Sequence, residues 1–225
     1  MQYRQHTVQC VSPSGLHRMA YVEWGARDNP RVLVCVHGLT RNGRDFDALA
    51  QALAAHYRVV CPDVVGRGQS SRLRDPSAYG IPQYLADMVT LIARLDVDSV
   101  DWVGTSMGGL IGMALASQQG TPIRKLLLND VGPVITTQSL ERIATYVGTD
   151  PTWATFDEAL AYIKVISAPF GQLDDAQWRH LTEHSIGQRP DRRWGFLYDP
   201  LIAAPFKAAF SGEPIDLWPI YERIT

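Results

Sequence analysis

In WVGTSMGGLIG, residues 102–112, a serine stands between glycines directly after an apolar run. Gly104-Thr105-Ser106-Met107-Gly108 fits the pattern G-x-S-x-G, and its flanks read as a strand before and a helix after. Glycine two positions to either side of the serine lets the chain reverse sharply. That reversal holds Ser106 in a strained conformation and projects its hydroxyl from the turn. The N-terminus of the next helix offers free N–H groups and a dipole that favour negative charge. Such a corner suits nucleophilic attack by Ser106 on a carbonyl group. An ordinary strand–helix turn is the other reading of the same residues.

The elements around this corner alternate in type. His17–Gly25 alternates apolar and polar residues as a half-buried strand does, and Thr7–Val11 is placed to pair with it. Arg31–Val36 is a continuous apolar run, the mark of a strand covered on both faces; Arg58–Cys61 reads as a short buried strand, and Ser99–Val103 and Ile123–Leu128 as further strands. Between them, Arg44–Tyr57 predicts a helix with Phe46, Leu49, Ala50 and Leu53 along one side. Pro82–Leu95 gives the strongest helical period, and Met107–Gln119 a third helix. This order predicts an α/β fold with a mostly parallel twisted sheet and helices on both faces. After Asp130 the pattern changes to short amphipathic helices around Leu140–Val147, Phe156–Ile166 and Ala176–His184, with no buried strand. Residues 1–132 therefore read as the core, 133–214 as a helical insertion over one sheet edge, and 215–225 as a return helix.

A chain of 225 residues with 46% hydrophobic and 20% charged residues has material for one sizeable core. Its formal net charge of −2 gives no electrostatic reason to expect nucleic acid or an anionic membrane as partner. The start, MQYRQHTVQC, lacks the apolar stretch of a signal peptide, and no segment reaches transmembrane length. Cys10, Cys35 and Cys61 fall in apolar runs, the setting of buried, reduced thiols in a cytoplasmic protein.

Two further motifs accompany the serine. His37-Gly38-Leu39 follows the third strand, and Asp63-Val64-Val65-Gly66-Arg67-Gly68-Gln69-Ser70 follows the fourth as a D-x-x-G-x-G-x-S turn. With GTSMG, and in this order across residues 17–130, they resemble the α/β-hydrolase family. The resemblance implies Ser106 as nucleophile, with an oxyanion hole from the backbone N–H groups of Leu39 and Met107. It casts the Asp63–Ser70 turn as structural, and the helices after Asp130 as a cap inserted after strand six. His37 and Gly38 belong to the loop beside the substrate, where His37 holds the loop. The sequence ends at Ile220-Tyr221-Glu222-Arg223-Ile224-Thr225, where relatives lead into strand seven. Strands seven and eight, with the acid and histidine they usually carry, are thus expected to be absent. A shortened chain of this kind leaves strand six as an open edge, through which copies could associate.

Replacements for those partners are few. His6, His17 and His56 read as surface residues, while His180 and His184 fall in the cap. Asp130 is the alternative acid, since some relatives carry the carboxylate after strand six; a turn residue is its other reading. His180-Leu181-Thr182-Glu183-His184 matches H-x-x-E-H, a pattern of some zinc peptidases, but the surrounding sequence recommends no third ligand. No metal or organic cofactor is expected, and these histidines read as an exposed helix face. The cap is expected to line the substrate site with Tyr146, Trp153, Trp194 and Phe170. Arg41 and Arg44 could meet a substrate carboxylate, or could be solvated surface charges. The activity expected is hydrolysis of an ester, lactone or related small carbonyl compound, impaired where the proton relay is missing. Carbon–carbon bond hydrolysis by the same serine and non-catalytic binding under the cap are the alternatives.

Overall fold

Two strands, β1 (Arg4–Ser12) and β2 (Gly15–Trp24), form an antiparallel hairpin at the start of the computed structural model, which describes residues 2–209 and 212–225. There follow β3 (Val32–Val36), α1 (Asp47–Leu53), β4 (Arg58–Pro62), α2 (Ile81–Leu95), β5 (Val100–Thr105), α3 (Met107–Ala116) and β6 (Ile123–Asn129). They build one six-stranded sheet in the order β1-β2-β4-β3-β5-β6, parallel from β4 to β6. Every residue of β3 and β4 is buried, as their unbroken apolar runs require of strands covered on both faces. Among the described residues β6 closes the sheet. Its outer side has no paired strand, and Leu127 there is 54% exposed.

Two helices differ from the sequence expectation. The stretch from Arg44 begins as a 3-10 turn, Gly43–Phe46, capped by the Asn42 side chain, and α1 proper ends at Leu53. The buried apolar residues of this stretch are Phe46, Ala50 and Ala54, a spacing of four that turns Leu49 outward, and Asp47 is buried beside them. In α2 the buried stripe runs through Tyr84, Met88, Leu91, Ile92 and Leu95 and leaves Val89 exposed. His17, expected at the surface, is buried beneath α2, with Nε2 3.0 Å from Asp87 Oδ2 and Cys10 in the same cluster. Its partner lies 70 residues away, beyond the reach of local pattern. All three cysteines are buried free thiols. No described helix is long and apolar enough to cross a membrane.

Beyond Asp130 lie β7 (Val134–Ile135), α4 (Thr137–Tyr146), β8 (Thr152–Trp153), α5 (Phe156–Ile166), α6 (Asp175–Ser185), β9 (Ile186–Gln188), β10 (Trp194–Phe196), α7 (Ala203–Ala209), β11 (Ile215–Asp216) and α8 (Trp218–Tyr221). The expectation of helices alone is corrected here, because β8, β10 and β9 form a small antiparallel sheet. Strands of two or three residues are too short to show alternation in sequence. Trp153, Ala159, Ile163 and Ile186 make a separate apolar cluster under this sheet, whereas Val147, Tyr198, Ile202 and Ala203 join the main core. β7 and β11 pair antiparallel at the two ends of the region.

The hairpin is tied down by charge. Glu23 is 1% exposed and accepts bonds from Arg4 Nη2 at 2.8 Å and Arg58 Nη2 at 2.7 Å. Burial opposes ionisation of this carboxyl, but the two guanidinium groups outweigh it and hold its pKa below the usual value. This contribution to stability is present above the ordinary carboxylate pKa and lost as pH falls through the lowered one. Glu23→Gln, which leaves the buried Arg58 guanidinium without its carboxylate, is expected to cost about 3–5 kcal/mol near neutral pH. Urea midpoints of the two proteins at pH 7 and pH 3 check this, with the gap closing at the lower pH.

Candidate active site

Ser106 stands between β5 and α3 with φ 50° and ψ −114°, a positive φ that a residue with a side chain adopts only under constraint. The constraint is visible on both sides. A Cβ at Gly104 would lie 2.3 Å from the Gly108 carbonyl oxygen, and one at Gly108 would lie 2.0 Å from that of Val36. The Ser106 N–H donates to Asn129 O at 2.8 Å, and its carbonyl accepts from Gly109 N at 2.9 Å, which starts the helix. Trp102, buried in β5, donates from Nε1 to Gly108 O at 3.0 Å. Ser106 is half-buried, and its hydroxyl has no hydrogen-bond partner among the described residues.

The loop after β3 reaches the same place. A Cβ at Gly38 would lie 3.8 Å from Ser106 Cβ, so this backbone packs directly against the serine. His37 is buried: its Nε2 accepts from Val64 N at 2.9 Å, and Nδ1 lies 2.7 Å from Gly38 O. A neutral ring with its proton on Nδ1 satisfies both bonds. Burial, and to a smaller degree Arg67, push its pKa down to about 4. His37 therefore holds the loop, with both ring nitrogens occupied by main-chain groups. Arg67, with no exposed surface, donates from Nε to Leu39 O at 2.8 Å and from Nη1 to Val65 O and Tyr84 Oη; its Nη2 lies 3.5 Å from Met107 Sδ. One guanidinium thus touches both residues predicted to form the oxyanion hole. Neither Leu39 N–H nor Met107 N–H has an acceptor among the described residues. Below the loop, Asp63 accepts from Gly43 N and Gln69 N at 2.8 Å each, although burial pushes its carboxyl up to about 6.

The remaining candidates go elsewhere. Arg41 is bonded to Asp45 and to Ser185 Oγ, and Arg44 to Asp47 and Tyr3 Oη, so both guanidinium groups are already paired. Trp153 and Trp194 are cross-strand partners in β8 and β10, and both pack in the separate apolar cluster. Phe170 is exposed near Arg41, and Tyr146 is half-buried with Asp130 close enough to raise its phenol pKa alongside burial. Asp130 is exposed with φ 56° and has the geometry of a turn residue. Among the described residues no imidazole is hydrogen-bonded to Ser106 or Asp130. His180 and His184 do not form the expected exposed face: they converge with Asp47 across the two layers. A polar cleft of about 430 Å³ lined by His6, Tyr21, Glu23, Arg27 and Arg94 contains none of these candidates. Asp63 and Arg67, read from the sequence as part of a structural turn, and Asp47, which the sequence did not single out, find partners on other loops and elements.

Comparison with known proteins bears on this geometry. A family model described as the alpha/beta hydrolase fold matches residues 31–181. A 3-hydroxybutyrate-oligomer hydrolase of Cupriavidus necator is 55% identical, over 96% of this chain and 76% of that protein. A crystal structure of an alpha/beta hydrolase from Novosphingobium aromaticivorans superposes with a TM-score of 0.85 at 35% identity, covering 99% of this chain and 78% of the other. One of a candidate hydrolase from Rickettsia typhi gives 0.90 at 31% identity, covering 100% and 79%.

Two outcomes are expected. Gly108→Ala drives a methyl group into the Val36 carbonyl and should lower stability by about 1–3 kcal/mol or more, while Gly132→Ala, with nothing within 4 Å, should be neutral; thermal denaturation distinguishes them. His37, with a folded pKa near 4 against the usual 6.5, contributes stability fully above 6.5 and loses it as pH falls toward 4. That contribution is about 3 kcal/mol, so the urea-midpoint gap between wild type and His37→Gln should narrow across this window.

Proposed function

The chain belongs to the α/β-hydrolase fold family, and we propose that within it Ser106 is the nucleophile of an ester hydrolase. The observation that supports this reading is the strained Ser106 corner, whose hydroxyl has no hydrogen-bond partner among the described residues and against which the Gly38 backbone packs. Ser106 Oγ attacks the ester carbonyl, and the carbonyl oxygen takes up negative charge between the Leu39 and Met107 amides. Each such donor typically contributes about 10²–10³ in rate. Collapse of the tetrahedral species breaks the C–O bond to the alcohol and leaves an acyl group on Ser106. Attack by water then releases the acid and restores the hydroxyl.

The substrate class proposed is an ester of a short hydroxy acid. An oligomer of 3-hydroxybutyrate is a chain of such esters, and the Cupriavidus necator relative is named for hydrolysing it. The serine proton requires an acceptor, and no imidazole among the described residues is bonded to Ser106. In this reading the base and its carboxylate come from outside these 225 residues. A second reading, binding without turnover, is favoured by that same missing contact.

The two readings separate in one experiment. The 225-residue chain is expected to take up a fluorophosphonate slowly, to one label per chain at Ser106, with none on Ser106→Ala. Turnover of p-nitrophenyl acetate or a 3-hydroxybutyrate trimer should be at or near background. Absence of labelling would favour the binding reading. Rapid turnover that depends on Ser106 would show that a base is already present.

A further inference from the structure

Asp47 at the start of α1 and His180 and His184 on α6 meet where the second layer rests on the first. Histidines four residues apart share a helix face, and these two rings lie 4.5 Å apart between centroids. His180 Nε2 is 3.2 Å from Asp47 Oδ2, and one ligand atom from each of the three residues lies within 4.8 Å of the others. A tetrahedral zinc ion with bonds of about 2.1 Å spaces its ligand atoms about 3.4 Å apart. The His180–Asp47 separation already matches, and the remaining adjustment falls within side-chain rotation.

We propose that Asp47, His180 and His184 form a binding site for a divalent transition metal, zinc above all, that fastens α6 to α1. Two imidazoles and one carboxylate suit zinc, cobalt or nickel and disfavour magnesium or calcium, which take oxygen ligands. The positions are held from outside the cluster: Asn42 Nδ2 donates to His184 O at 2.6 Å, and Arg41 Nη1 to Ser185 Oγ at 2.9 Å. Arg44 is the opposing force, since it donates to both Asp47 oxygens. Metal binding requires Arg44 to release Oδ2, but it can keep Oδ1, to which Nε donates at 2.9 Å. It then orients the carboxylate as an outer partner. Glu183, the remaining polar residue of the H-x-x-E-H pattern, is half exposed and pairs with Arg179. The cluster thus lacks the free general base of a zinc peptidase, and its role is to clamp the layers.

Cobalt and zinc titrations of the tag-free 225-residue protein test the proposal. One equivalent of cobalt is expected to give visible ligand-field absorption, and zinc to displace it and raise the melting temperature. His180→Gln/His184→Gln should weaken binding by more than about 100-fold, beyond the 10- to 100-fold typical of losing an outer partner. Asp47→Asn should weaken it as well, and Arg44→Gln, which frees Oδ2, should tighten it several-fold. Circular dichroism establishes that each variant is folded. The buried Cys10, His17 and Asp87 cluster is a second group of metal-ligating types, and these variants leave it intact. Absence of saturable binding, or binding of equal strength in the double histidine variant, would overturn the proposal.

Discussion

Gly108 comes so near the end of β3 that the first turn of α3 and the exit of that strand share one small volume. The surroundings of Ser106 depend on this close approach. It allows the Gly38 backbone to pack on the serine and places the amides of Leu39 and Met107 on neighbouring chain segments. Arg67 then fills the space behind them, satisfying the Leu39 carbonyl with a charge that has no exposed surface. A buried guanidinium is tolerable only when its donors are occupied, and here two carbonyls and the Tyr84 hydroxyl accept from it. Backbone strain at one residue is thus held by packing and hydrogen bonds contributed by three separate loops.

The position of the central strands along the chain and the corner at Ser106 were legible in the sequence because both are local. Unbroken apolar runs such as Val32–Val36 report burial on two faces, and G-x-S-x-G reports a steric requirement of adjacent residues. What stayed hidden involves pairs far apart in the chain. His17 alternates correctly with Met19 and Tyr21, but only Asp87, on another element, makes its burial tolerable. Arg67 reads as one residue of a glycine-rich turn until Leu39 and Tyr84 are seen around it. The small sheet that pairs Trp153 with Trp194 stayed hidden because strands of two or three residues leave no periodic trace.

Contact between the two layers is uneven in kind. On one side it is largely apolar: Tyr198, Ile202 and Ala203 enter the main core, and Tyr79 Oη donates to Asp199 Oδ2 at 2.7 Å. Around Arg41, Asn42 and Asp47 it is mostly polar, with α6 held through hydrogen bonds and an imidazole–carboxylate contact. Apolar burial is insensitive to small changes in pH or ions, whereas the polar side rests on groups whose charge and partners can change. Burial, with Arg44 and His180 nearby, pushes the His184 pKa down to about 4.

The pairing of β7 with β11 brings the chain back to its point of departure, with Ile135 opposite Ile215 and Val134 opposite Asp216. Everything between those two rungs is a closed excursion whose entrance and exit touch. The parallel sheet therefore feels no difference in end-to-end distance whether that excursion is long or short. Its length enters the free energy only logarithmically, through loop closure. Changes of length are therefore cheapest in the parts of the excursion that stay clear of the main core, away from Val147, Tyr198, Ile202 and Ala203.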